Sequence, residues 1–216
     1  MWLDTKAGTT AVRSPQPARG NDRLRPSEIT ESDTTMNVRY YEGERIYFRP
    51  IELADEPTLR LWRNDPEIWA TLLYIQPMNE LREREWIEKL YKETHDVGLA
   101  ICIKDGHRLI GGCGIHKVEP VHRRAEFGIL IGDREYQDQG YGTEATRLMV
   151  RYGFEEMNLN RIGLSVFADN LRGIRLYKKV GFVREGCVRQ AYFRNGSYHD
   201  ELLYGLLRSE WEQSRA

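Results

Sequence analysis

Gln137-Asp-Gln-Gly-Tyr-Gly-Thr143 is the stretch on which the reading of this chain turns. An apolar run, Phe127 to Ile131, precedes it and an amphipathic run, Thr143 to Met157, follows it. The stretch is therefore a loop leading from a strand into a helix. Gly140 and Gly142 carry no Cβ, so both are expected to take unusual φ and to let a ligand approach the backbone. The first amides of the following helix find no partner within it and lie at the positive end of its dipole. A loop of this kind holds phosphates without a lysine. Gly-x-Gly alone also marks an ordinary tight turn, and the weight comes from a second motif downstream.

Working outward, Arg45 to Pro50 is a short strand ended by proline. Asp55 to Asn64 has helical spacing of Leu59, Leu61 and Trp62, stopped at Asn64-Asp65-Pro66, and a short helical turn covers Glu67 to Leu72. Glu80 to Lys92 is a charged helix with Leu81, Trp86, Ile87, Leu90 and Tyr91 on one side. Gly98 to Lys104 and Leu109 to Val118 form a hairpin, and a third strand runs from Arg124 to Ile131. Beyond the loop and its helix come a strand, Arg161 to Phe167, a helix, Asn170 to Val180, ended by Gly181, and two strands flanking Asn195-Gly196. The expected architecture is a mixed α+β domain over residues 41–210. Residues 1 to about 40 lack periodicity and carry Pro15, Pro17 and Pro26, and they read as a disordered tail.

The chain has 216 residues and a formal net charge of −1. Near-balanced charge argues against an electrostatic nucleic-acid binder, and no apolar run reaches the ~18 residues of a membrane span. Cys102, Cys113 and Cys187 have no metal or redox spacing. Each sits in an apolar run, so buried thiols in a reducing cytoplasm are expected.

The second motif is Asn170-Leu-Arg-Gly-Ile-Arg-Leu-Tyr177-Lys-Lys-Val-Gly181-Phe182. Gln-x-x-Gly-x-Gly followed by Asn-x-x-x-Ile-x-Leu-Tyr-x-x-x-Gly-Phe resembles the GNAT superfamily of acetyl-CoA-dependent N-acetyltransferases, over about Arg45 to Leu207. The resemblance implies a mostly antiparallel, twisted sheet of about six to seven strands with one splayed strand pair, flanked by about four helices. It implies acetyl-CoA as co-substrate and no metal. The pyrophosphate would lie on Gln137, Asp138, Gln139, Gly140, Tyr141, Gly142 and Thr143. The pantetheine arm would lie along the backbone of Ile129, Leu130 and Ile131, with Asn170, Ile174, Tyr177 and Lys179 on the facing helix. An unpaired strand edge is a ready template for an amide-bearing arm.

By the same resemblance Tyr177 is the acid that protonates the leaving thiolate, and Glu126, eleven positions before Gln137, is the candidate base. Each has a plainer reading, Tyr177 as a packing aromatic and Glu126 as a partner of Arg124. An alkyl amine of pKa ~10.4 is neutral in only about one molecule in 2500 near pH 7, so a base matters for such an acceptor; an α-amine near pKa ~7.8 needs it far less.

His122-Arg-Arg-Ala-Glu-Phe127 is similar to the matching strand of spermidine acetyltransferases, whereas the hairpin Tyr192 to Asp200 is shared with ribosomal-protein alanine acetyltransferases. These motifs name the scaffold and not the acceptor, which is expected to be a polyamine or other small amine, or a peptide N-terminus. Its pocket is expected between the segment 62–86 and the last hairpin. Asp65, Glu67, Glu80, Glu126, Asp200 and Glu201 would favour cations, and Trp62, Trp69, Tyr74 and Tyr192 supply aromatic faces, Trp62 more in keeping with core packing. A homo-oligomer, in the simplest case a dimer, is expected. A non-catalytic acyl-CoA sensor is the rival; the retained Tyr177 and full glycine loop favour an enzyme. A nucleotide kinase would need Gly-Lys-Ser/Thr after the loop. His116, His122 and His199 are too dispersed for a metal site, and Ser165 lacks a nucleophile elbow. Deleting residues 1–35, which offer no apolar face to bury, should leave Tm and turnover nearly unchanged in a thermal melt and a thiol-release assay.

Overall fold

The computed structural model describes residues 38–73, 76–92 and 95–215. Most of the expected tail, and Tyr74, lie outside the described residues. Eight strands are present: β1 Tyr41–Glu42, β2 Ile46–Pro50, β3 Val97–Ile103, β4 Leu109–Glu119, β5 Arg124–Ile131, β6 Arg161–Phe167, β7 Val183–Arg194 and β8 Ser197–Leu207. They form one sheet in the order β1-β2-β3-β4-β5-β6-β8-β7. Every neighbouring pair is antiparallel except β5 and β6, which are parallel. Six helices accompany them among the described residues: α1 Glu56–Asn64, α2 Pro66–Trp69, α3 Glu80–Lys92, α4 Tyr141–Glu155, α5 Leu171–Val180 and α6 Arg208–Gln213.

Strand alternation sorts the side chains onto two faces. Leu99 and Ile101 of β3, Cys113 and Ile115 of β4, and Ala125 and Phe127 of β5 join Ala145, Leu148 and Met149 of α4 in the larger core. The opposite face carries a smaller core of Ile51, Leu59, Trp62, Ile68, Ile87 and Ala100, supplied mainly by α1, α2 and α3. Trp62 is thus a core residue, its indole packed where a Cβ on Gly132 would stand. Between α1 and α3 the Glu83 side chain is fully buried, 3.4 Å from the Arg63 guanidinium, and its carboxylate oxygens accept no hydrogen bond. Burial holds the Glu83 carboxyl above its usual range.

Several expectations need correction. Among the described residues there are eight strands and six helices, slightly more than the expected six to seven strands and about four helices. The extra elements are short: β1 has two residues, with Tyr41 opposite Phe48, and α6 packs Trp211 against Phe154 with ring centroids 5.2 Å apart. Such pieces have no period to read. Tyr40, at the expected edge of the tail, lies against β2, its amide donating to the Phe48 carbonyl at 2.8 Å. The expectation of buried thiols holds for Cys102 and Cys113 but not for Cys187, which is exposed because β7 is an edge strand with most of its side chains in solvent.

The β7–β8 turn is built as its dipeptide requires: Asn195 and Gly196 both have positive φ, 48° and 77°. The hairpin presents exposed Val183, Val188, Phe193 and Tyr198 beside the unpaired edge of β7. An edge strand twelve residues long with apolar side chains is a template for pairing. Light scattering should give twice the chain mass, and Phe193→Lys with Tyr198→Glu should shift the protein to monomer; a wild-type monomer at high concentration would refute the expectation.

Candidate functional site

The two parallel strands meet only at Arg124–Glu126 and Arg161–Gly163. Beyond that, β5 stays paired with β4 as far as Ile131, and β6 stays paired with β8 as far as Phe167. The sheet therefore opens into a gap along the second half of β5. The Leu130 carbonyl oxygen sits against Gly111 of β4, whereas the Ile131 carbonyl accepts from Gln137 Nε2 at 2.8 Å. By strand alternation Ile129 and Ile131 turn their backbone groups to the gap and Leu130 turns its own to β4. Of the three residues expected to offer backbone partners, two turn their backbone groups to the gap.

The loop closes the end of this gap. Gly140, the N-cap of α4, has φ 86°, a conformation that favours glycine. Gly142 does not share it. It lies in the first helical turn with ordinary φ, and its lack of a Cβ serves space instead, since a Cβ there would come within 3.0 Å of Leu176. Arg172 anchors the loop from α5, with Nε 3.0 Å from Asp138 and an Nη donating to Gln137 Oε1 at 2.7 Å. Arg45 donates to the Gln139 carbonyl at 3.1 Å and lies over the Tyr141 ring at 4.2 Å.

A groove of about 450 Å³ runs between gap, loop and α5. Ile129, Leu130, Ile131, Gln137, Asp138, Gly140, Gly142, Thr143, Asn170, Tyr177 and Lys179 line it, as the sequence led one to expect. Gln139, Tyr141 and Ile174 do not. Gln139 bonds to the Glu135 carbonyl, Tyr141 lies under Arg45, and Ile174 packs on the larger core. Arg134, Arg172 and Arg175 also line the groove and were not anticipated, although the last two stand inside the second motif. Helix-start amides facing Arg172, Arg175 and Lys179 suit a diphosphate.

Asn170 caps α5, its Oδ1 accepting from the Gly173 amide at 2.9 Å; its amide nitrogen is a separate donor. Tyr177 is buried at the groove wall, edge-on to Phe127 and Phe182 at 6.4 and 6.0 Å. Burial pushes its phenol up to about 12, so it stays protonated and able to donate across the neutral range.

A second cavity, of about 480 Å³, lies on the other face of the sheet under α1 and α3. It shares Ile129 and Leu130 with the groove, so the two cavities meet at the rim of the gap. Glu126 points to this face from β5, opposite His116 of β4. Its carboxylate is held 2.8 Å from the Lys117 ammonium. Arg124, the partner considered from sequence, goes instead to Glu119. His116 lines the cavity, and its ring occupies the space over Gly128, 2.9 Å from where a Cβ would be. Burial holds its imidazole below its usual 6.5 and therefore neutral near pH 7. Sequence reasoning passed over His116 as a metal ligand and gave it no other part. The available signal was its i+2 relation to Gly114 on a strand that pairs with the strand of Glu126.

The acceptor residues expected from sequence are only partly gathered here. Arg63, Leu72 and Trp86 of the segment 62–86 line the second cavity, and no residue of the last hairpin does. Asp65 and Glu67 are held by Arg134, and Glu80 by Arg84. Asp200 accepts from the Gln190 amide and Glu201 from the Tyr192 hydroxyl. Trp69 lies under Arg194, 4.4 Å from its guanidinium. His199 pairs with Asp169 at 2.9 Å.

Residues 45–183 match the family model described as the acetyltransferase (GNAT) domain. The chain is 33% identical over 172 residues to a spermidine N(1)-acetyltransferase of Vibrio cholerae, covering 78% of this chain and 96% of that protein. It is 36% identical over 104 residues to a putative ribosomal N-acetyltransferase of Bacillus subtilis, covering 48% and 56%. Its fold is similar to the crystal structure of spermidine N-acetyltransferase from Vibrio cholerae in complex with CoA and spermine, with a TM-score of 0.73 and 25% identity over 78% of this chain and 98% of that one.

A carboxylate at position 142 would stand among the helix-start amides where the loop is expected to hold an anion. Like charges brought together cost several kcal/mol, so Gly142→Asp should weaken acetyl-CoA binding by about a hundredfold or more in calorimetry. Unchanged affinity in a folded variant would remove the loop from the site.

Proposed function

The chain belongs to the GNAT acetyltransferase family and is an acetyl-CoA-dependent N-acetyltransferase, and from that premise we propose that it acetylates a primary amine by direct attack within a ternary complex. The observation that carries this reading is the gap between β5 and β6, with Tyr177 on one face of the sheet and Glu126 and His116 on the other. A thioester held in the gap would meet its acid from the α5 side and the incoming amine from the α3 side. No side chain has to carry the acetyl group.

Acetyl-CoA lies in the groove, its pyrophosphate on Gly140, Gly142 and Thr143 with Lys179 nearby, and its pantetheine amides on the backbone of Ile129 and Ile131. Asn170 adds a donor to that arm. The amine nitrogen attacks the thioester carbon and the carbon–sulfur bond breaks. One proton leaves the nitrogen and one reaches the sulfur. Tyr177 donates toward the sulfur. A phenol with a pKa raised by burial suits this role because the same burial makes the thiolate a stronger base. On the other face, Glu126 and His116 are the groups able to take the nitrogen's proton. His116 is the neutral one; Glu126 shares its charge with Lys117.

Tyr177→Phe keeps the ring and its packing and removes the donor. It should lower kcat by roughly 10²–10⁴ with acetyl-CoA affinity almost unchanged. Activity of the wild type should show no loss from Tyr177 ionisation until pH rises toward about 12. Glu126→Gln and His116→Gln should separate the two bases: the one that takes the proton loses most activity at neutral pH and recovers as pH approaches the amine's own pKa. A Tyr177→Phe enzyme with full kcat, or equal losses at every pH for both base variants, would overturn these roles.

A further inference from the structure

Ser197, His199 and Asp169 form a cluster that lines neither the groove nor the acceptor cavity. The His199 ring on β8 has Nδ1 2.9 Å from Asp169 Oδ2 and Nε2 3.0 Å from Ser197 Oγ. The order is that of a nucleophile set, but Ser197 is exposed beside the turn and its hydroxyl also reaches the Arg194 carbonyl at 3.2 Å. An exposed serine with its hydroxyl on a carbonyl is not an activated nucleophile. The cluster is a link instead. An ionised carboxylate only accepts, so Nδ1 donates to Asp169. In the neutral ring Nε2 then accepts from Ser197. In the charged ring it donates to the Arg194 carbonyl, 3.3 Å away, and the Asp169 contact becomes an ion pair. Either way the ring stays on Asp169.

Asp169 opens an inverse γ-turn. The Leu171 amide donates to its carbonyl at 2.8 Å, and Asn170 between them has φ −77° and ψ 68°. Asn170 is also the N-cap of α5, and it lines the groove. A turn closed by one hydrogen bond gains from a second hold, and the side chain of its first residue supplies one. We propose that His199 is a positioning residue for acetyl-CoA: through Asp169 it holds this turn, and the turn aims the Asn170 amide at the pantetheine arm. The inference rests on the acetyl-transfer reading and goes beyond it, since it places support for the cofactor groove in the last hairpin. The same hairpin is tied elsewhere by Arg194, whose buried guanidinium donates to the Trp69 and Leu72 carbonyls. Leu72 stands in the wall of the acceptor cavity. One hairpin therefore braces both substrate sites.

The test is acetyl-CoA affinity by calorimetry, which needs no acceptor. His199→Phe keeps a ring against Phe167 and loses the donor to Asp169. It should weaken binding by about tenfold, the scale of one well-placed hydrogen bond, with Tm little changed. Asp169→Ala, at a side chain 64% exposed, should reproduce that loss from the other end of the link. His199→Gln, whose amide can still donate to Asp169, should regain most of the affinity. Asn170→Ser keeps the helix cap and removes the amide donor, and adding His199→Phe to it should cost no further affinity. Wild-type affinity in both folded variants, His199→Phe and Asp169→Ala, or a full additional loss in the double variant, would overturn the positioning role while leaving acetyl transfer standing. Wild-type affinity in Asn170→Ser would remove Asn170 from the arm and this inference with it. Failure of the unaltered protein to bind acetyl-CoA would overturn the acetyl-transfer reading together with this inference.

Discussion

Two parallel strands share three residue pairs and then part, and the rest of the molecule is arranged around that parting. Each strand keeps its other neighbour, so neither half of the sheet is lost. Unpaired backbone groups inside a protein are costly unless something satisfies them. Here the cost is limited by Gln137, which reaches back to the Ile131 carbonyl, and by a ligand arm able to take the rest. The loop, the start of α4 and the N-cap of α5 all lie where this opening ends, so strand geometry and the groove are one construction.

The same parting lets chemistry work from two sides. Phe127 and Tyr177 belong to the larger core, whereas Glu126 and His116 belong to the opposite face. Consecutive residues on β5 thus serve separate compartments, because strand side chains alternate. Tyr177 on one side and Glu126 with His116 on the other therefore do not meet in the free protein.

Much of this was legible in the sequence because it depends on local rules. Asn195-Gly196 specifies its turn, Asn170 its cap and Gly181 its helix end, each through backbone geometry that few residues allow. The groove residues could be read because they sit on one loop and one helix. What escaped depends on register. Whether Leu130 or its neighbours face the gap, whether Glu126 meets Arg124 or Lys117, and whether Cys187 is inside or on an edge are settled by pairing between distant strands. The glycines of β3, β4 and β5 are unremarkable singly and come opposite one another only once three strands are aligned. Gly142 is the same case on a small scale: its absent side chain makes room for Leu176 on a different helix and does not serve a special dihedral.

Glu83 gives the layer formed by α1 and α3 a separate character. Its carboxylate is shut between α1 and α3 beside Arg63 with no hydrogen bond to compensate its lost hydration. Such an arrangement is a weak contributor to stability, and a well-packed apolar replacement is often as good or better. Its raised pKa means that the folded roof holds its proton more tightly than the unfolded chain does, so this stabilisation is full in acid and declines as pH rises through the folded value. The link between these two helices is thus neutral in acid, and it becomes an ion pair with Arg63 once Glu83 gives up its proton.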